Sequence, residues 1–432
     1  MLLDSLLARL PGDLHDGKHS QSADLTLRGV PTHPDRAGPN TSFAVLPSTL
    51  PADPVGIQTG LKRGIPAIIC PPGTTLPRRT RRIFADQPSL TFVTAATALN
   101  NNPVSHLHLF RVRLPENLSA QTATLLHRLL EASDHRSALL TSHGGCIAGR
   151  HFLQSPSETD CHEWQCFLAA HVRTGGRLLV IEDVSGVRNV LGQVPPLSES
   201  IVSLPSKSLI EPLALNWRGS RIRIRVGSSE RLAHTPVAGR SALTALDAAF
   251  VAAIAAGADP SRLAALLPSF DCDTGFMEPI RAGQSFGVFV DPATEATALA
   301  QLIREAREMT QGSVILLTGA SARSTLEQRG QLGEAANLAD RVILTSDNPR
   351  SIEVDSLSRD IQHGLNQRAH LQPDRRRAIS DAIRMARSGD IVLLAGKGTH
   401  PIQEINGTIL PWDDRIHARN GLAACGWVGD LP

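Results

Sequence analysis

The sequence predicts an α/β protein of several domains, the last of them a doubly wound parallel sheet. Three observations carry that reading. A chain of 432 residues exceeds what one hydrophobic core covers and points to two to four domains. From about residue 286 onward, short β-branched apolar runs alternate with segments of helical period. The 34 glycines and 29 prolines are spread over many turns and do not run together.

In chain order, strands are expected at Ser42 to Leu46, Gly64 to Ile69 and Leu90 to Val93, with a helix near Val55 to Lys62. Leu107 to Val112 reads as a strand, and Ala120 to Ala132 as a helix with Leu125, Leu126, Leu129 and Leu130 on its apolar face. Between them lies Pro115-Glu-Asn-Leu-Ser-Ala-Gln121. Glu163 to Val172 is a further helix and Arg177 to Glu182 a further strand. Pro195 to Ser200 and Leu204 to Ser208 read as a Pro/Ser-rich loop. Trp217 to Val226 alternates Arg and Ile, as a half-exposed strand does. A helix over Leu243 to Ala256 ends at Gly257, and Asp259-Pro260 opens the next, Ser261 to Leu267. The C-terminal alternation runs through Phe286 to Val290, Thr297 to Met309, Ser313 to Leu317, Gln331 to Ala339, Val342 to Leu344, Arg375 to Ala386 and Ile391 to Ala395.

Composition excludes several function classes. Tyr is absent and aromatics are 3%, too few for a stacking platform on single-stranded nucleic acid. With 43 basic and 41 acidic residues the net charge is +2, which attracts neither nucleic acid nor a membrane surface. Met1 to Leu10 carries Asp4 and runs into Pro11-Gly12-Asp13, a short amphipathic helix and not a signal peptide. No run reaches the length of a membrane span, so a cytoplasmic protein is expected. The six cysteines are then expected as reduced thiols. Cys161, His162 and Cys166, with His143, Cys146 and His171 nearby, lack the tight paired spacing of zinc sites.

The stretch with most chemistry is Arg341-Val-Ile-Leu-Thr-Ser-Asp-Asn-Pro-Arg-Ser351. A buried strand is followed at once by Asp347, Asn348, Pro349 and Arg350. In an open parallel sheet, ligands bind just past the carboxyl ends of the strands. A carboxylate, an amide and a guanidinium there suit a group carrying both an ammonium and a carboxylate, and Arg350 can hold the latter bidentately. Gly389-Asp-Ile-Val-Leu-Leu-Ala-Gly-Lys-Gly398 repeats the device with a Gly-rich turn that lets backbone approach a ligand.

Thr345-Ser-Asp-Asn-Pro-Arg350, Ala395-Gly-Lys-Gly398 and Trp412-Asp-Asp-Arg415 together resemble the C-terminal domain of the Mur ligases, most nearly the MurE type. That type adds meso-diaminopimelate to UDP-N-acetylmuramoyl-L-alanyl-D-glutamate in peptidoglycan synthesis. The resemblance implies three domains: 1–103 for the UDP-substrate, 104–279 for ATP, and a Rossmann-like 280–432 for the amino acid. It implies diaminopimelate or a UDP-muramoyl peptide as ligand, with Asp347, Asn348, Arg350, Gly396, His400 and Arg323 as contacts. It places Asn117 and Asp291 at ATP, and Glu182 at Mg2+.

The sequence also departs from the family. The Asp-Ser-Arg turn of the uridine site, expected near Pro31 to Arg36, is altered. Aligned on the Ala120 to Ala132 helix, the Gly-Lys-Thr of the phosphate loop becomes Leu118, Ser119 and Ala120, with Glu116 adding negative charge. Gly186 stands for a metal-binding His, Lys207 is the only lysine where a carbamylated one is expected, and Phe276 replaces a basic residue. Thr294 and His400 stand for a His and a Glu. These changes predict an impaired ligase acting as a binding or regulatory protein, alone or beside an active Mur ligase. The alternative is an active tripeptide synthase with a rearranged nucleotide site.

Overall fold

The computed structural model describes residues 88–152, 161–192, 194–270 and 274–429, with short segments before residue 88. The readings at Met1 to Leu10 and Pro31 to Arg36, and nearly all of Val55 to Lys62, lie outside the described residues. The chain divides into two compact units.

The first unit comprises Met1–Arg113 and Asp134–Val202. Its larger sheet orders six strands as Ser198–Val202, His108–Val112, Leu178–Glu182, Ser137–Thr141, Gly144–Ile147 and Arg150–Phe152. The first four run parallel and the last two add as an antiparallel meander. Leu109, Leu140, Leu179 and Ile181 meet Phe92, Leu168 and Trp164 in one core.

Two expectations are corrected here. Leu90 to Val93 is not a strand but part of the helix Pro88–Leu99. Thr91, Phe92, Val93, Ala95, Ala96, Thr97 and Ala98 are all buried, an apolar surface that suits a core helix, and Pro88 occupies the first turn, where its missing N–H costs nothing. The Pro/Ser-rich interval is not all loop: Ser198–Val202 pairs in parallel with His108–Val112. As an edge strand with only Val202 buried, it carries almost no apolar signature.

The second unit comprises Leu114–Ser133 and Ser203–Pro432. Helix Glu116–Ala132 packs against Arg240–Ala255, and its Leu125, Leu126, Leu129 and Leu130 are buried. It begins a full turn before the expected Ala120, so Leu118 and Ser119 lie inside its first turn. An antiparallel sheet, Ile210–Asn216, Gly219–Val226 and Ser229–Thr235, follows, and Asp259 caps the helix Pro260–Leu266 as expected.

The C-terminal sheet contains β1 (Glu278–Pro279), β2 (Gly287–Asp291), β3 (Val314–Thr318), β4 (Arg341–Leu344), β5 (His370–Leu371) and β6 (Ile391–Ala395), in the order β1-β2-β6-β3-β4-β5. All but β1 pair in parallel. Alternate residues of these strands supply two cores. Phe289, Leu316 and Leu393 pack with α1 (Ala296–Glu308), α2 (Leu326–Ala336) and α3 (Val354–Gln362). Val288, Ile315, Leu317 and Ile343 pack with α4 (Arg375–Met385) and α5 (Asp414–Ala424). Helices on both faces of a parallel sheet make it doubly wound, as predicted. Helix α2 starts at Leu326, not Gln331, because Thr325 and Gln328 form a capping box. The hairpin β7 (Ile402–Ile405) and β8 (Thr408–Pro411) was not foreseen.

Among the described residues no helix is long and apolar enough to cross a membrane. Nor do any His, Cys, Asp or Glu residues group to hold a metal ion. In the Cys/His cluster, the Cys161 thiol meets the Val190 carbonyl at 3.4 Å and His171 meets the Leu178 carbonyl at 3.2 Å.

Candidate amino-acid site

Strands β2, β3, β4 and β6 end at Asp291, Thr318, Leu344 and Ala395, so four turns gather at one edge of the C-terminal sheet. Backbone bonds lock them together. Gly396 N donates to Asp291 O at 2.9 Å, Thr345 N to Thr318 O at 3.0 Å, and Ala322 N to Asn348 O at 3.0 Å. Gly319 is dictated by this closeness: a Cβ there would stand 2.2 Å from the Thr345 carbonyl oxygen. Gly396 differs, with φ +115° and open space where a side chain would be, so backbone is bared at the turn.

Beneath the turns lies a buried charge lattice. Lys397 is fully enclosed, and its ammonium donates to Asn348 Oδ1 at 2.8 Å and to Ile402 O at 3.0 Å while lying 3.2 Å from Asp347 Oδ1. Burial pulls the Lys397 pKa below its ordinary value, and the Asp347 carboxylate opposes the shift. Arg375, also fully buried, binds Asp414 through Nε at 2.9 Å and Nη2 at 2.6 Å. Two of its other hydrogens reach Ser346 O at 3.3 Å and Ala395 O at 3.0 Å. One guanidinium thus ties the turn after β4 to the turn after β6. Trp412 Nε1 donates to Asp414 Oδ1 at 2.7 Å, and Gln403 Nε2 donates to Ser346 Oγ at 2.8 Å and Asp347 O at 3.0 Å. Such buried pairs add little net stability over apolar packing, but losing one partner is costly, so they fix geometry.

Arg350 stands partly exposed above this lattice. Its backbone takes φ +51°, uncommon for a residue with a Cβ, and bridges to the hairpin through Arg350 N to Glu404 O at 3.1 Å. Its Nε lies 3.1 Å from Glu404 Oε2. Asn348 Oδ1 is engaged by Lys397 and by Glu404 N at 3.1 Å. His400 is exposed, with Nδ1 3.0 Å from Ile402 O. Only a protonated Nδ1 can bond a carbonyl, so Nε2 is left as an acceptor while the ring is neutral. Arg323 lines a neighbouring cavity of about 430 Å³ with Thr294, Glu295, Ser321, Ser324 and Gln328.

Sequence reasoning thus named the turns. It missed Lys397 and Arg375 as the charges that hold them, and Glu404 as the carboxylate beside Arg350. Trp412-Asp-Asp-Arg415 was the available signal for Asp414.

A family model for the Mur ligase glutamate ligase domain matches residues 277–398, which span this site. A UDP-N-acetylmuramoyl-L-alanyl-D-glutamate–2,6-diaminopimelate ligase of Synechococcus elongatus is 28% identical over 98% of this chain and 99% of its own length. Residues 277–398 are thus a Mur ligase domain, and the chain is similar to a Mur ligase along nearly its whole length.

The ligase of the same name from Aquifex aeolicus is 33% identical over 50% of this chain and 45% of its own. A UDP-N-acetylmuramyl-tripeptide synthetase of Roseiflexus is 37% identical over 42% and 37%. With such relatives the match spans under half of their length, the Synechococcus protein excepted. Among solved structures, a diaminopimelate ligase superposes with TM-score 0.56 at 20% identity, covering 95% of this chain and 97% of that one. A MurF ligase from Thermotoga maritima in complex with ADP gives 0.56 at 13%, covering 87% and 95%. The Mur ligase fold follows.

Other positions singled out by the Mur resemblance behave unevenly. Asp291 accepts Met277 N at 2.8 Å and Ala293 N at 2.9 Å, yet burial raises its pKa to about 7 against those bonds. Glu182 is buried, and its Oε2 accepts Ser142 N at 2.6 Å. Asn117 lies in the first turn of its helix, its side chain outside the described residues. Ser119 Oγ closes the turn on itself, 2.8 Å from both Leu114 N and Leu114 O. With Leu118 beside it and no lysine, this turn does not fit a triphosphate held in the manner the resemblance implies.

Proposed function

We propose that this chain is a MurE-type homologue working in peptidoglycan synthesis, divided as 1–103, 104–279 and 280–432. In this reading the C-terminal sheet binds a diaminopimelate-class amino acid and the rest serves a UDP-muramoyl peptide. The observation that carries the proposal is the edge where Lys397 and Arg375 brace the Asp347-to-Arg350 and Gly396-to-His400 turns. It leaves a guanidinium, a carboxylate and bared backbone at the carboxyl ends of the strands, which suits a zwitterion.

Two readings of catalysis then divide. The relatives' names, one of them over nearly the full chain, favour an active tripeptide synthase, which by the Mur resemblance uses ATP and magnesium, here at a rearranged nucleotide site. The self-closed turn at Leu114 to Ser119 favours a binding or regulatory protein for diaminopimelate or a muropeptide, in which ligation is impaired. The comparisons support the first more strongly. One experiment decides: incubation with the UDP-muramoyl dipeptide, meso-diaminopimelate, ATP and magnesium. Amide product with release of phosphate establishes the ligase. Amino-acid binding without product establishes the second reading, and neither binding nor product removes both.

A further inference from the structure

Resting on that reading of the site, we infer that Glu404 receives the amino acid's ammonium and makes the site selective for zwitterions over simple acids. Asp347 is poorly placed for that task. Its side chain is 5% exposed, and its carboxylate lies against the buried Lys397 ammonium. Asn348 Oδ1 is likewise taken, by Lys397 and by the Glu404 backbone N–H. Among the described residues of this edge, the carboxylate that faces outward beside the gripping arginine is that of Glu404. The two side chains are 30% and 37% exposed, 3.1 Å apart.

The pairing sets the selectivity. Empty, the guanidinium is already neutralised by Glu404. A ligand carboxylate arriving alone shares Arg350 with a like charge that has lost part of its partner. A ligand bringing an ammonium next to its carboxylate gives Glu404 a new cation while Arg350 turns to the ligand, and the four charges alternate in sign. The strained φ of Arg350 and its backbone bond to Glu404 O hold the two side chains in register.

The test is calorimetric titration of the full chain and its Glu404→Gln variant with meso-diaminopimelate and with pimelate, which has the same two carboxylates and no amine. Glu404→Gln keeps the backbone N–H that Asn348 uses, and equal melting temperatures check that the fold is retained. The native chain is expected to bind diaminopimelate and to bind pimelate at least tenfold more weakly. The variant is expected to lose about tenfold for diaminopimelate and to gain for pimelate, so that the preference collapses. A variant that keeps the native preference overturns the role of Glu404 while leaving the amino-acid site standing. A native chain that binds pimelate as well as diaminopimelate overturns the selectivity. Absence of diaminopimelate binding to the native chain overturns the proposed site itself.

Discussion

The carboxyl ends of the two parallel sheets use their charges differently. In the C-terminal sheet the buried charges lie below the turns, and Lys397 and Arg375 hold Asp347, Asn348, Ser346 and Ala395 so that Arg350 and Glu404 face outward. In the other sheet the strand-end acids are spent locally. Glu182 accepts a backbone N–H, and Asp183 takes Arg111, Arg113 and Arg188. Burial pushes the Asp183 pKa up, but the bonds from Arg111 and Arg113 outweigh it and hold it below the usual carboxylate range. A site needs polar groups whose partners are not all supplied by the protein. One edge retains them, and at the other the acids singled out are already engaged.

The largest break of this contrast is expected from Arg375→Met, which strands the fully buried Asp414 and frees both turns. It should cost about 3–5 kcal/mol in urea unfolding, and pairing it with Asp414→Asn should restore a good part. Lys397→Met comes next, at about 2–3 kcal/mol, because Asp347 and Asn348 lose their shared cation. It should also abolish diaminopimelate heat. An intact titration curve would show that the lattice does not position the site. Grafting Leu118→Gly, Ser119→Lys and Ala120→Thr into the self-closed turn should raise ATP affinity at least tenfold, roughly 1.4 kcal/mol. Equal affinities would place any nucleotide phosphates elsewhere.

The smallest effect is that of Asp291 on pH dependence. Its pKa is near 7 in the folded chain, above its ordinary value. The folded state therefore holds a proton that the unfolded state has lost. Asp291 supports the fold fully below pH about 4, and this support declines as pH rises to 7. Urea midpoints of native and Asp291→Asn protein at pH 5 and 7.5 should diverge accordingly. Parallel changes would mean that Asp291 is ionised throughout.

What could be read from the chain follows from how local each signal is. The runs within Val314–Thr318, Arg341–Leu344 and Ile391–Ala395 declare themselves because strand segments buried on both faces, such as Val342 to Leu344, must be apolar. Ser198–Val202 does not, because an edge strand with one buried residue needs no such pattern. Pro88–Leu99 misleads because its Leu-Thr-Phe-Val start satisfies strand and buried helix alike, and only the surrounding core selects the helix.

By itself, the sequence determined the alternation of strands and helices, the doubly wound sheet and the turns that carry Asp347 to Arg350 and Gly396 to His400. Tertiary structure alone decided which of those charges face a ligand. Asp347 is close to Arg350 in sequence and Glu404 close to it in space, and no local pattern says which of the two carboxylates stays at the surface. Lys397 makes the distinction, arriving from a distant position to hold one carboxylate in the interior while the other stays at the surface. Electrostatic partnership is set by proximity in space, and a linear pattern does not contain it.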